Sequence, residues 1–256
     1  MQQVYSGPEG VLWELIMGEQ IHIGGFQSSM DLAEKACIGE GMSGVDFCCC
    51  SGAGMRFLTR FRGVTHMTGV DATETVINQG RLRCKEEGLA GKIDFVLAEV
   101  TNSGLPDASA DFVWGEDAWC YVEDKPKMIA EAARIVKPGG TIVFTDWIEG
   151  PAGLSDAEAQ RFLTFMKFPN VLSLEDYSSL LTANGCAVET AADTGRFKPY
   201  VDLYLNMLTM QLTYDALKII SFDTAMMQAM GGEMAFMREL AGAGKIAQGL
   251  FVAEKQ

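Results

Sequence analysis

From residue 44 to 148 the chain alternates short apolar runs with amphipathic helical stretches, and this alternation restricts the fold more than any other feature. GVDFCCC precedes a helical pattern from about Gly54 to Phe61, and HMTGVDA precedes one from about Glu74 to Glu87. KIDFVLAEV and DFVWGED read as the next two strands, and Pro126 to Val136 as an apolar-periodic helix. TIVFTDWI is a fifth strand after the turn Lys137-Pro138-Gly139-Gly140. Strands joined by helical crossovers pair in parallel, with helices on both faces of the sheet. The expected fold is α/β: a doubly wound, seven-stranded, mostly parallel sheet.

The last two strands come from the remainder. After two helical stretches in residues 155 to 184, CAVETAAD reads as the sixth strand and GLFVAEK, near the end, as the seventh. Between them, Tyr200 to Gly244 is helical in pattern and rich in Met, Leu and Tyr, too apolar for a solvated loop. It is expected to pack as a helical lid over the carboxyl edge of the sheet, where open α/β sheets bind ligands. No repeat or Pro/Ser-rich linker divides the 256 residues, so a single domain is expected. Its parts are an amino-terminal cover (1–40), a core (41–195), the lid (196–245) and the last strand (246–256).

Composition excludes several functions. Hydrophobic residues at 48% supply a core, and 34 acidic against 20 basic residues give a net charge of −14, which opposes nucleic-acid binding. No apolar run reaches the roughly 18 residues needed to span a bilayer, and the first residues lack a secretory pattern, so a cytoplasmic protein without a membrane partner is expected. The seven cysteines, three of them consecutive at Cys48, Cys49 and Cys50, read as reduced thiols filling small buried spaces. As part of the first strand, the triplet's adjacent side chains point to opposite faces and cannot all reach one ion; no metal is expected.

In VDFCCCSGAGMRFL a strand bearing an acid ends in a turn of small residues that opens a helix, a geometry suited to holding a ligand against backbone N–H groups. Tight strand–helix packing produces the same pattern. The second strand ends in Gly69-Val70-Asp71, an acid about twenty-five residues on, and two acids at adjacent strand ends point to a nucleoside.

The ordered set VDFCCCSGAG, GVDATETVINQGRLRCKEEGL, FVLAEVTNSGLPDASADFVWGEDAWCYVED and EAARIVKPGGTIVFTDW resembles the class I S-adenosylmethionine-dependent methyltransferases. SGPEGVLWELIMGEQIHIGG and GKIAQGLFVAEK extend the likeness to the subgroup of sarcosine/dimethylglycine and phosphoethanolamine N-methyltransferases and some quinol or terpenoid C-methyltransferases. The resemblance implies S-adenosylmethionine as cofactor, with S-adenosylhomocysteine as product. Asp46 and the backbone of Cys48, Cys50 and Gly52 would face its methionine moiety, with Glu116 nearby. Asp71 would accept the ribose hydroxyls and Ala72 would pack on the adenine. Glu99 would receive its amino group, and Val100 would offer a backbone N–H. One departure stands out: the family's D-x-G-x-G-x-G turn has Cys48 and Cys50 at its first two glycine positions, where a Cβ resists positive φ.

At the end of the fourth strand, where the family's methyl group meets its acceptor, stand Glu116, Asp117, Trp119 and Tyr121. Tyr121 occupies a position where family members often carry histidine. The two histidines are His22 and His66, and His22 lies in the cover segment within reach of an acceptor. Few histidines with many acids and aromatics favour an amine such as glycine, sarcosine or dimethylglycine, with Glu116 and Asp117 holding the ammonium and Trp119 and Tyr121 adding cation–π attraction. Tyr200, Tyr204 and Met207 in the lid instead suit an apolar or phenolic acceptor methylated at carbon or oxygen, and Arg196 a carboxylate. A non-catalytic cofactor-binding protein is the third reading, and a homodimer is within expectation.

Overall fold

The computed structural model describes residues 7–256; residues 1–6, where the expected amino-terminal cover begins, lie outside the described residues. One sheet holds β1 (Ser43–Phe47), β2 (His66–Asp71), β3 (Ile93–Leu97), β4 (Ala110–Glu116), β5 (Val136–Glu149), β6 (Cys186–Asp193) and β7 (Ile246–Lys255). Their spatial order is β3-β2-β1-β4-β5-β7-β6, and β7 alone runs antiparallel to its neighbours. Because β2 and β4 flank β1 on opposite sides, the winding reverses there and leaves a crevice at the carboxyl ends of β1 and β4.

Helices cover both faces. α2 (Gly25–Lys35), α3 (Ala53–Phe61) and α4 (Glu74–Glu86) bury Leu32, Phe57, Leu58 and Ile77 on one face. α5 (Lys125–Ile135) and α7 (Leu174–Ala183) bury Met128, Ile129, Ala132, Tyr177 and Leu181 on the other. The central strands are therefore apolar on both sides; Phe112, Val113 and Trp114 are successive fully buried residues of β4. Local chemistry sets the helix starts. The Asp124 carboxylate accepts the Lys127 amide ahead of Pro126 in α5. α6 (Asp156–Met166) and α7 each open on a capping box, Ser155 with Glu158 and Ser173 with Asp176.

A third apolar cluster joins the sheet edge to α1 (Pro8–Met17) and to α8 (Phe197–Thr209) and α10 (Thr224–Gly242), which with α9 (Thr213–Ile219) fill the stretch between β6 and β7. Trp147, Phe162, Phe168 and Phe197 pack edge-on or stacked at its centre. The turn expected at Lys137–Gly140 is instead an irregularity within β5: Ala110 pairs with Val136 and Phe112 with Thr141, so the intervening residues bulge, with Gly139 at φ 75°. No described helix is long and apolar enough to cross a membrane.

Candidate active site

β1 ends at Phe47, so the cysteine run is a turn and not the continuation of a strand. Cys48 (φ 58°), Cys50 (φ 49°) and Gly52 (φ 76°) all take left-handed backbone, at a cost of about 1–2 kcal/mol for each residue bearing a Cβ. The expected resistance of cysteine to positive φ is overridden by fixed hydrogen bonds. The Cys49 amide donates to Val70 O (3.2 Å), the Cys50 amide to Asp71 Oδ2 (3.0 Å) and the Gly52 amide to Cys49 O (2.8 Å). The strand-face argument against a metal therefore does not apply to the triplet; among the described residues no group of three or more His, Cys, Asp or Glu could hold an ion. Cys49 Sγ fills space against β2, where a Cβ on Gly69 would meet it at 2.6 Å. Burial first, then the charge of Asp71, pushes the Cys48 and Cys49 thiols well above their ordinary range and that of Cys50 up to about 12.

This turn forms one wall of a cavity of about 640 Å³, part of it open to solvent, lined also by Asp46, Asp71, Thr73, Glu116, Asp117 and the segment Glu19–His22. Asp71 serves the turn on both oxygens, accepting the Cys50 amide and, at 2.8 Å, the Thr73 amide. Its carboxyl is raised by burial, against the pull of those two amides. Burial, then the charges of Glu116 and Asp71, holds Asp46 well above the usual carboxylate range. Ala72, half-buried, Glu99, exposed beyond β3, and Val100, buried in the core, do not line this cavity. They stand on the side where the Ala98 amide donates to Asp71 O (3.1 Å), joining the ends of β2 and β3.

The segment between α1 and α2 closes the cavity. The Ile23 amide donates to Asp117 Oδ2 (2.7 Å), and Gln248 on β7 donates to both oxygens of Asp117 (3.0 and 2.8 Å). Asp117 itself sits in left-handed backbone (φ 50°), pinned by its amide to Thr145 O (2.8 Å). His22, 4% exposed, places Nε2 3.2 Å from Ser29 Oγ and 3.3 Å from Glu116 Oε1. Ser29 donates to the same Glu116 oxygen (2.7 Å) and Trp114 Nε1 to the other (3.1 Å). Burial raises the Glu116 and Asp117 carboxyls, and the charge of His22 acts against that rise in both. α1 is clasped to the core by Glu14 on Arg83 (2.5 Å), with Glu19 on Arg56 just beyond; Arg83 also donates to Ser51 Oγ (3.1 Å) in the turn.

A second chamber, about 300 Å³ with the open solvent at its mouth included, adjoins the first across Ile21, His22, Asp117 and Tyr121, which line both. Its other walls are Trp13 and Met17 from α1, Trp147 near the end of β5, Met166 at the end of α6 and Phe168 just beyond it. Tyr121 packs edge-on against Phe168 with ring centroids 4.8 Å apart. Among the described residues no lysine or arginine lines either chamber.

Several sequence-derived assignments change position. Trp119 faces the core, fully buried and stacked 4.0 Å from Phe144, with no hydrogen-bond partner for its Nε1; it does not reach the acceptor chamber. Arg196 is paired with Asp31. Tyr200, Tyr204 and Met207 pack in the lid cluster outside both chambers, with the Tyr204 hydroxyl 3.5 Å from His22 O. Glu116 and Asp117 are tied into the fold by the bonds just described. His66 pairs with exposed Asp94 on the surface. The sequence reading missed Trp13, Ser29, Trp147, Phe168 and Gln248. Trp147 ends a strand at the same sheet edge and was discoverable on that ground, whereas Ser29 and Gln248 meet the site only through packing.

The arrangement fits S-adenosylmethionine. Asp46, Asp71, Glu116 and Asp117 line one cavity with no described lysine or arginine among its walls, so a ligand bearing an ammonium and a sulfonium relieves their repulsion. Gly54 keeps the floor open, since a Cβ there would come within 3.1 Å of Glu116 Oε2 and 3.3 Å of Asp46 Oδ2. A seven-stranded sheet of this order with acids at the ends of β1 and β2 defines the class I methyltransferase fold. Residues 45–144 match the family described as "Methyltransferase domain".

Among its relatives, the 27-O-demethylrifamycin SV methyltransferase of Amycolatopsis mediterranei is 29% identical over 51% of this chain and 49% of its own length. The dimethylglycine N-methyltransferase of Parasynechococcus marenigrum is 29% identical over 67% of this chain and 65% of its own. The structure of phosphoethanolamine N-methyltransferase 2 of Haemonchus contortus, bound to phosphomonomethylethanolamine and S-adenosylhomocysteine, superposes with a TM-score of 0.87 at 18% identity, over 98% of this chain and 58% of that one. The chain spans half or less of the length of several curated relatives it matches, 49%, 39% and 30% for three of them.

Proposed function

We propose that this chain transfers the methyl group of S-adenosylmethionine to a hydroxyl of an apolar, aromatic-sized small molecule, with His22 as general base. The observation that carries this reading is the composition of the second chamber: aromatic and methionine walls, His22 and Asp117 at the boundary with the first cavity, and no described cation to meet a carboxylate or phosphate. Bound in the first cavity, the cofactor supplies an electrophilic methyl on a sulfonium.

Asp46 and the turn Cys48–Gly52 would hold its methionine end, with Glu116 nearby. Asp71 would hold the ribose hydroxyls; the adenine would extend beyond the walls of this cavity toward Ala72, Glu99 and the Val100 amide, beside the joined ends of β2 and β3. Asp117, already bonded to Ile23 and Gln248, fixes the segment carrying His22 and is not the base. Nε2 of His22 lies against Ser29 and Glu116 and Nδ1 lies 3.4 Å from Ile23 O; in this reading the ring turns from that carbonyl to take the hydroxyl proton, and Glu116 stabilises the imidazolium. Tyr121 and Trp147 confine the acceptor and exclude water, which aligns an in-line displacement.

A second reading, an amine acceptor of the sarcosine, dimethylglycine or phosphoethanolamine kind, draws support from the same aromatic walls, which attract a cation, and from the names of two of the relatives. The test is S-adenosylhomocysteine production across phenols, a prenylated quinol, glycine, sarcosine, dimethylglycine and phosphoethanolamine. Turnover is expected on the phenol or quinol, falling about 10²–10⁴-fold in His22→Ala. Turnover on the amines alone overturns the hydroxyl reading.

A further inference from the structure

Behind the acceptor chamber lies a separate apolar cavity of about 860 Å³, part of it open to solvent, between α1 and the helices α8, α9 and α10. α1 is the partition. Leu12 and Ile16, one turn apart, face this cavity, Met17 faces the acceptor chamber, and Trp13 lines both. The far wall is Met227, Met230 and Met234, on one stripe of α10. No charged residue among those described lines the cavity. Its two hydroxyls are spent on backbone carbonyls of α8, Thr209 Oγ1 donating to Leu205 O (3.0 Å) and Thr213 Oγ1 to Leu208 O (2.5 Å). A space that offers neither donor nor acceptor stays dry and favours an apolar occupant, and flexible methionines adapt to its shape.

We propose that this cavity receives an alkyl or prenyl chain carried by the methyl acceptor, with the Trp13 ring as the gate through which the chain passes from the reacting head group. The proposal rests on the reading that the chamber of Tyr121, Trp147 and Phe168 takes the acceptor. It adds what that reading lacks, a substrate class: amphipathic molecules with one long apolar tail. The wall from Met227 to Met234 runs about 10 Å along its helix, the length of roughly eight extended methylenes. Tail length is therefore read up to about eight carbons and ignored beyond.

The experiment uses the intact protein and 4-alkylphenols from methyl to decyl. Binding is followed by tryptophan fluorescence with S-adenosylhomocysteine present, and turnover is measured separately with S-adenosylmethionine. Affinity is expected to rise about two- to fourfold per methylene and level off near octyl. Gly231 lines the cavity, and a Cβ there meets nothing within 4 Å, so Gly231→Phe fills the space and is expected to reduce the octyl compound to the affinity of the ethyl one. Met230→Ala lengthens the space and is expected to move the plateau to longer chains, which gives a second variant should the first not fold. Affinity independent of chain length, or chain-length dependence untouched by both variants, overturns the proposal. Octylphenol that binds in a Gly231-sensitive way without being methylated leaves the cavity assignment standing and removes the hydroxyl reading. Phenol methylated with no gain from a tail does the reverse.

Discussion

Nε2 of His22 stands 3.3 Å from Oε1 of Glu116, both side chains almost wholly out of solvent, and this contact ties the cover segment to the end of β4 between the two chambers. A carboxylate beside an imidazole stabilises the charge the ring carries once it has taken a proton. Glu116→Gln keeps the shape and removes that charge. A loss of about tenfold or more in kcat is expected, measured as S-adenosylhomocysteine release at saturating cofactor. An unchanged kcat would separate Glu116 from the base.

Asp71 acts in two ways at once. Its side chain caps the Cys50 and Thr73 amides, and it lines the cofactor cavity. Asp71→Ala is expected to cost about 1–3 kcal/mol of stability for the amides left unpaired, and at least tenfold in cofactor affinity. Urea denaturation and calorimetric titration with S-adenosylhomocysteine read the two effects separately; unchanged affinity in a folded variant contradicts the ribose assignment.

Asp146, buried beneath the site, accepts from the Tyr177 hydroxyl (2.5 Å) and the Cys120 amide (3.0 Å). Burial outweighs these bonds and the charge of Lys125 and pushes its carboxyl from 3.8 up to about 7. The folded chain therefore binds more protons than the unfolded one between those values, and Asp146 makes stability fall as pH rises through that window. Denaturant midpoints taken at intervals from pH 4.5 to 7.5 should flatten in Asp146→Asn by up to about 1.4 kcal/mol per pH unit. Parallel curves for the two proteins would remove Asp146 as the source.

The cysteines differ in reactivity according to burial. Only a thiolate alkylates, and Cys48, Cys49 and Cys50 are held protonated while Cys37 is exposed. Iodoacetamide at pH 8, followed by peptide mass mapping, should label Cys37 well before the triplet. Labelling of Cys50 at a comparable rate in the native protein would refute the burial argument.

A strained turn invites the reverse experiment. Cys50→Gly removes a Cβ from left-handed backbone and is expected to raise stability by up to about 1 kcal/mol, seen as a higher Tm, because its half-buried thiol packs less tightly than that of Cys48. A lower Tm would mean that thiol packing outweighs the strain.

Periodicity alone specified most of the elements. The helix expected at 74–87 forms at Glu74–Glu86, the sixth strand matches Cys186–Asp193, and the cofactor-side acids Asp46 and Asp71 fall at strand ends as read. These properties are local: a repeat of two or 3.6 residues and a capping side chain are written within a dozen positions. What faced the acceptor was decided elsewhere. Trp119 and Tyr121 are two residues apart, yet a short 3₁₀ turn at Trp119–Tyr121 sends the first into the core and leaves the second on the chamber. Arg196 found Asp31, and Asp117 found Ile23 and Gln248, partners 94 and 131 residues away. Which side chains meet at a buried site depends on how whole elements pack, because burial makes every polar group seek the nearest partner in space, and sequence spacing does not record that distance.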